Sequence, residues 1–425
     1  MRISPARLAA FDVLYRIEKD RAFSSVLLPL YEEKLNPPDR GLCHELVLGV
    51  LRRQIYLDEV VRHYAGSKKL DTAVRIALRL GAYQILFLEK VPGYSAVNES
   101  VNLVQKARKT SAKAFVNAIL RRVAEKGAPE FAFPDEIERI SIETSHPRWL
   151  IEKWTTEFGN DEAEKIAIAN NSVPKTSFRF IGDHVPDGFE ACEFVPDCYV
   201  TSSLTPELRE MMERGEIYFQ DEASQLVAHA VAQDVGDSFL DVCAAPGGKT
   251  TRIAREGRPT LAIAGDIHAA RVEHLRNTCR RQAVGFVNVV QYDAERALPF
   301  ADKTFDTVLV DAPCTGTGTI RGTPEIRYFL SPNDFDDLQK KQLAILKSAS
   351  KSVTPGGRLI YSTCSLEREE NEVVCADFLA QTTEFEKVSP RIPEPFITAD
   401  GFGRTFPHRD ATDGFFIAEF RRHGI

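Results

Sequence analysis

Apolar residues recur at helical spacing through the first part of the chain. Leu8, Phe11, Leu14 and Ile17 share one face, as do Leu42, Leu46 and Val50, then Val74, Leu78, Ile85 and Leu88, then Val97, Val101 and Val104. Breakers separate these runs at Asn36-Pro37-Pro38, Gly66-Ser67 and Val91-Pro92-Gly93. The pattern predicts an all-α bundle of about six or seven helices over residues 1–128. No repeat of 20–50 residues is evident, which argues against a solenoid. A linker follows at 127–135. Residues 145–159 then read as an amphipathic helix and 176–181 and 193–195 as strands, so 145–215 is expected to be a small α+β subdomain.

From 216 to 425 the texture changes to strands alternating with helices. Strands are expected at 238–243, 260–267, 287–292, 305–310, 358–363 and 415–420, and helices at 268–283, 334–352 and 367–380. Such alternation implies an α/β domain with a mostly parallel sheet covered on both faces. Ligands on such sheets sit at the carboxyl ends of the strands, so the residues that follow each strand carry the interest.

Composition narrows the class. The chain has 425 residues, 43% hydrophobic and 27% charged, as an ordinary soluble protein of two or three domains would. No apolar run approaches the roughly 20 residues of a membrane helix, and the first residues lack a secretory pattern, so no membrane association and a cytoplasmic location are expected. The cysteines at 43, 192, 198, 243, 279, 314, 364 and 375 form no C-x-x-C pair, and no H-E-x-x-H occurs. Neither a disulfide framework nor a metal is indicated.

The net charge of −7 hides an asymmetry. Residues 1–126 hold 22 Lys and Arg against 13 Asp and Glu, whereas the rest hold 32 against 48. Lys106, Arg108, Lys109, Lys113, Arg121 and Arg122 cluster in 105–126. They are either a solvated helix face or, if the rest of the chain needs a polyanion, an RNA-facing patch.

The first strand-to-helix turn reads D-V-C-A-A-P-G-G-K-T, from Asp241 to Thr250. It ends like a triphosphate loop, but G-x-x-x-x-G-K-[ST] would require glycine where Cys243 stands. A dinucleotide fingerprint fails too, since only Gly247 and Gly248 are present. What remains is a close-packed turn, Cys243, Ala244, Ala245, Pro246, Gly247, Gly248 and Lys249, over which a small ligand can lie. S-adenosylmethionine suits it. Asp266 is placed to accept from ribose hydroxyls, Asp293 to take an adenine amino group, and Asp311 ends the next strand. One aspartate after a strand is usually a turn former; four in succession, counting Asp241, weaken that reading. D-A-P-C (311–314) and S-T-C-S (362–365) then set Cys314 and Cys364 at two strand ends, where they are either structural or a covalent catalytic pair.

At these residues a resemblance appears. D-V-C-A-A-P-G-G-K-T-T, D-A-P-C-T-G-T-G, Y-S-T-C-S-L-E-R-E-E-N-E-V-V and the closing D-A-T-D-G-F-F-I-A-E-F resemble motifs of the RNA cytosine-5 methyltransferases of the Nop2/Sun family. S-A-V-N-E-S-V-N-L-V-Q-K and K-A-F-V-N-A-I-L-R-R resemble NusB. The resemblance implies a NusB-like helical domain, a linker subdomain and a Rossmann-like class I methyltransferase domain. It further implies S-adenosylmethionine as cofactor and a cytosine of small-subunit (16S) ribosomal RNA as target. Cys364 would add to C6 of the base, Cys314 would act in product release, and Asp311 would hydrogen-bond the base. Lys249 would favour the thiolate or orient the base, or it merely caps a helix turn. The base must leave any stack to be reached, and the basic front domain supplies the grip on RNA. Gln220 to Ser224 resembles the family's approach to the cofactor, or is a plain helix start. S-F-R-F-I-G-D (177–183) and Gly322 in I-R-G-T-P-E-I-R-Y-F (320–329) depart from the family at positions associated with RNA contact. Transfer RNA as substrate, and a non-catalytic RNA-binding assembly factor, stay open as alternatives; a monomer is expected.

Overall fold

The computed structural model describes residues 3–182 and 188–424; Asp183, which closes S-F-R-F-I-G-D, and the rest of 183–187 inside the expected subdomain lie outside the described residues. The chain forms two units, Met1–Ser172 with Ile320–Leu330, and Val173–Thr319 with Ser331–Ile425.

In the first unit the breakers seen in the sequence become helix ends. Asn36 accepts the Asp39 N–H at the start of Pro37–Arg52, Asp71 accepts the Ala73 N–H at the start of Thr72–Phe87, and Gly66 closes Gln54–Ala65 at φ +73°. With Pro5–Asp20, Ser24–Glu32, Gly93–Lys106 and Lys113–Lys126 these make seven α-helices up to residue 126. Phe11, Leu14, Ile17, Leu46, Val50, Val74, Leu78, Val97 and Val104 are all buried in one cluster. Each such side chain stabilises the unit by about 1.5–3 kcal/mol relative to exposure.

The segment 145–215 divides between the units. Glu136–Thr144, Arg148–Phe158 and Asn160–Ala169 extend the helical unit, because Leu150, Ile151, Trp154 and Ile166 need an apolar partner and Ile140 supplies part of it. Residues 320–330 belong to this unit as well. Arg327 is wholly buried there and donates to the carbonyls of Thr144, Ser145 and Asn170 and to Asn171 Oδ1, while Tyr328 donates to Leu51 O at 2.7 Å. I-R-G-T-P-E-I-R-Y-F is therefore a structural segment of the helical unit, and its second arginine is no RNA contact.

The second unit holds two sheets. The smaller is antiparallel, ordered β2-β3-β1-β4, from β1 (Thr176–Phe180), β2 (Glu190–Ala191), β3 (Cys198–Thr201) and β4 (Ile217–Phe219). The strand expected at 193–195 is instead the reversal between β2 and β3, where Pro196 and Asp197 at φ +54° turn the chain. The larger sheet comprises β5 (Ser238–Asp241), β6 (Leu261–Asp266), β7 (Asn288–Gln291), β8 (Phe305–Asp311), β9 (Val353–Thr363), β10 (Phe385–Val388), β11 (Gly403–Arg404) and β12 (Phe416–Arg422). Its order is β10-β12-β9-β8-β5-β6-β7, with β11 on β12. The five strands from β9 to β7 run parallel; β12 is antiparallel to β9, and β10 is antiparallel to β12. Val308, Leu309 and Val310 are apolar in succession because β8 is covered on both faces. The order reverses between β5 and β8, which sets the carboxyl ends of β6, β5, β8 and β9 side by side at a topological switch point.

Candidate active site

The turn after β5 is pinned to both neighbouring strands. Val242 N–H donates to Leu309 O at 2.9 Å and Ala244 N–H to Gly265 O at 2.8 Å, and helix Gly248–Gly257 starts directly after. Packing requires the two glycines. Gly247 lies at φ +106°, and a Cβ there would meet Leu275 Cδ1 at 2.8 Å; one on Gly248 would meet Tyr218 Cε1 at 2.9 Å. Cys243 is part of this turn, and burial holds its thiol well above the ordinary range, so it is no nucleophile.

Asp241 is fully buried at the end of β5. Its Oδ2 accepts from Thr250 Oγ1 at 2.6 Å, whereas Oδ1 has no hydrogen-bond partner among the described residues. Burial, with the charge of Asp311 adding, pushes its pKa up to about 7. Asp266, also buried, accepts the His268 N–H at 3.1 Å and lies 3.4 Å from Arg271 Nη2, which also donates to Ala245 O at 2.8 Å. Arg271 thus ties Asp266 to the glycine turn. Sequence reading gave no sign of it, since it sits on an otherwise ordinary helix, Ala269–Arg281. Asp293 follows the edge strand β7 and is committed locally, accepting the Glu295 N–H at 3.0 Å and lying 3.2 Å from Arg296 Nε.

β8 and β9 are parallel neighbours with Asp311 opposite Ser362, and this register brings the loops after them together. Cys314 Sγ lies 3.2 Å from Cys364 Sγ. The hydrogen bond with Cys364 and burial push the Cys314 thiol far up. Asp311 Oδ2 accepts from Lys249 Nζ at 2.8 Å and Oδ1 from Ser362 Oγ at 2.7 Å. Lys249 Nζ also lies 4.8 Å from the centre of the Phe415 ring. Cys314, Cys364, Asp311 and Lys249 therefore converge at adjacent strand ends, and the Asp241 turn adjoins them.

Two groups escaped the sequence reading. Arg179 on β1, in S-F-R-F-I-G-D, is buried under the turn. It donates to Gly248 O at 3.2 Å, Thr251 Oγ1 at 3.0 Å and Gln282 Oε1 at 3.1 Å, and lies 5.4 Å from the Tyr218 ring centre. Burial and the nearby Arg252 lower its pKa to about 9. It supports the turn and does not face RNA. The other is Glu370, within the helix expected at 367–380 and buried behind both cysteine loops.

Of the basic cluster, Lys106, Arg108, Lys109, Arg121 and Arg122 are exposed and Lys113 is half-buried. Lys109 pairs with Asp71 at 2.7 Å, Lys113 donates to Gln105 Oε1 at 2.7 Å, and Arg122 donates to Tyr64 O at 3.3 Å. No helix among the described residues is long and apolar enough to cross a membrane.

The doubly wound sheet, its acidic strand ends and the helical front unit define a Rossmann-like methyltransferase joined to a NusB-like domain. The chain belongs to the 16S rRNA methyltransferase RsmB/F family, whose model matches residues 228–421; the NusB family model matches residues 4–125. A protein of Bacillus subtilis named probable ribosomal RNA small subunit methyltransferase B is 33% identical over 448 residues, covering 100% of both chains. One of Pseudomonas putida, named ribosomal RNA small subunit methyltransferase B, is 32% identical over 88% of this chain and 89% of its own. Among solved structures, that of PH0851 superposes with a TM-score of 0.84 at 26% identity, covering 99% of this chain and 100% of the other.

The chain is accordingly an S-adenosylmethionine-dependent RNA methyltransferase. Its residues fit that cofactor. Carboxylates at the ends of β5 and β6, one with an oxygen that has no hydrogen-bond partner among the described residues, suit a ligand bearing hydroxyl donors and a positive sulfonium.

Proposed function

We propose that the protein methylates C5 of one cytosine in small-subunit (16S) ribosomal RNA through a covalent bond from Cys364 Sγ to C6. The observation that carries this reading is the pair of thiols 3.2 Å apart beside the Lys249–Asp311 ion pair. C5 of cytosine is a poor nucleophile; addition of the Cys364 thiolate to C6 turns the ring into an enamine whose C5 is electron-rich. Asp311, held by Lys249 and Ser362, is aimed to hydrogen-bond the N3–N4 edge and so stabilise the adduct. Bound S-adenosylmethionine supplies the electrophilic methyl group, and Asp241, Asp266 and the 243–249 turn hold it, with Asp293 at the adenine edge. Transfer of the C5 proton to a base, Cys314 itself or a water beside it, then restores the C5–C6 double bond while the C6–S bond breaks and its electron pair returns to Cys364. Cys314, the neighbouring thiol, serves this release. The exposed cations of residues 106–122 contact phosphates, since a polyanion is the substrate.

The test uses labelled S-adenosylmethionine, protein-free small-subunit ribosomal RNA, and wild type, Cys364→Ala and Cys314→Ala. Wild type labels one cytosine as 5-methylcytosine, Cys364→Ala labels none, and Cys314→Ala accumulates a protein–RNA adduct. Label in transfer RNA alone would overturn the substrate; undiminished label with Cys364→Ala would overturn the mechanism.

A further inference from the structure

Cys314 and Cys364 sit on separate loops, and a distance of 3.2 Å between two thiols has to be held by something. Each loop is clamped on both sides of its cysteine by one of two consecutive residues, Glu370 and Asn371, with Gln342 assisting. Asn371 Oδ1 accepts from Thr363 Oγ1 at 2.6 Å and its Nδ2 donates to Ser365 O at 2.8 Å, which fixes the residues flanking Cys364. Glu370 Oε1 accepts the Thr315 N–H and Gln342 Nε2, each at 2.9 Å; Oε2 accepts from Thr315 Oγ1 at 2.5 Å and from Ser365 Oγ. Gln342 Nε2 in turn donates to Pro313 O at 2.9 Å, so Cys314 is flanked by a held Pro313 and a held Thr315. Tyr361, from β9, donates to Glu370 O at 2.5 Å and anchors the clamp to the sheet.

We propose that Glu370 is a positioning residue for the thiol pair: its carboxylate fixes Cys314 against Cys364 and sets a negative charge behind Cys314, and Cys364 is the thiol that attacks. This rests on the reading of the two cysteines given above. The four donors it receives favour the ionised carboxylate, against burial, which raises its pKa. The Cys314 thiol is held up first by Cys364, then by burial, then by the charges of Cys364 and Glu370. Tyr361 also lies near Cys314, and Asp311, which acts on Tyr361 in turn, is paired with Lys249 at 2.8 Å.

The network distinguishes charge from shape. One carboxylate oxygen of Glu370 meets two N–H donors and the other meets two hydroxyls, which can rotate to accept. Glu370→Gln therefore keeps every contact, with its carbonyl toward Thr315 N–H and Gln342 and its amide toward the hydroxyls, and removes only the charge. Glu370→Ala removes both.

Alkylation by iodoacetamide from pH 6 to 10, followed residue by residue by mass spectrometry on the full-length protein without RNA, reads the charge. The Cys314 midpoint lies high, so the readout is its rate: at each pH the rate rises about tenfold in Glu370→Gln, the equivalent of about one pH unit. Geometry is read by adduct formation with ribosomal RNA: Glu370→Ala accumulates covalent protein–RNA adduct as Cys314→Ala does, Glu370→Gln much less, and S-adenosylmethionine affinity stays at the wild-type value in all three. Should Glu370→Ala fail to fold, Thr315→Val, which removes one hydroxyl donor and keeps the charge, takes its place: adduct accumulates while the Cys314 rate stays within about twofold of wild type, a margin of about 0.4 kcal/mol. A Cys314 profile in Glu370→Gln that superimposes on wild type overturns the proposal. A shifted profile in a protein that labels no RNA leaves Glu370 as assigned and overturns the function proposed for the thiols.

Discussion

Asp241 ties folding stability to pH in a direction opposite to most carboxylates. It is buried, and its pKa rises from 3.8 to about 7. In the unfolded chain the group is ionised above about pH 4, whereas the folded chain keeps its proton up to about 7. Between those values the native state binds one proton more than the unfolded state, so stability falls as pH rises and levels off beyond 7. The full span corresponds to about 4 kcal/mol, of which roughly 2.5 kcal/mol falls between pH 5 and pH 8. Asp241→Asn keeps the Thr250 hydrogen bond and cannot ionise, so it removes the dependence; its amide, facing the site of the unpartnered Oδ1, loses about 1–3 kcal/mol at every pH. The difference between variant and wild type is thus expected to tilt in the variant's favour as pH rises, by an amount equal to roughly 5–10 °C in melting temperature from pH 5 to pH 8. Far-UV circular dichroism follows the whole chain. Trp149 and Trp154, the two tryptophans, both lie in the helical unit, so their emission separates that unit from the one carrying Asp241. A difference that stays flat across pH 5–8 would refute a buried Asp241 that titrates near neutrality.

Gly247→Ala, forced to φ +106° with its Cβ against Leu275, is expected to cost about 1–3 kcal/mol in denaturant melts and to weaken S-adenosylmethionine binding in calorimetry. Arg327→Met strands the carbonyls of Thr144, Ser145 and Asn170 and is expected to cost roughly 3 kcal/mol, read by Trp154 emission because Trp154 lies 5.4 Å from His146 in the same pocket of the helical unit. Replacing Arg108, Arg121 and Arg122 by Gln lowers the slope of log affinity for ribosomal RNA against log salt by about 2–3 if each meets a phosphate; an unchanged slope removes these residues from the RNA surface.

The strand ends were legible because the signals are local. A run such as Val308-Leu309-Val310 followed by Asp311-Ala312-Pro313 announces a buried strand and its turn within a few residues, and the expected end of β8 differs from the observed one by a single position. The adjacency of β8 and β9, which unites Cys314 with Cys364, does not follow from alternation alone, which implies parallel strands and not their order. Where residues of different segments close on one another, the sequence was silent. Nothing in the sequence marks Arg179, Arg327 and Glu370 as buried, and each is covered by partners 28 to 183 positions away. The division of 145–215 between two units was hidden for the same reason, since an amphipathic helix announces that it has an apolar face and not which surface will cover it.

Charge explains why a catalytic unit of this kind carries a second, basic one. Asp241, Asp266 and Asp311 line neighbouring strand ends, and Lys249 is already committed to Asp311 at 2.8 Å. Such a mouth favours a positive sulfonium over the neutral thioether left after transfer, which helps donor displace spent product, and it disfavours phosphates by the same field. Residues 127–425 hold 32 Lys and Arg against 48 Asp and Glu, so they offer no net attraction for RNA at long range. Residues 1–126, with 22 against 13, do. Salt therefore acts mainly on the step in which RNA is captured and little on transfer from cofactor to a base already in place, where the interacting charges are buried and screened less.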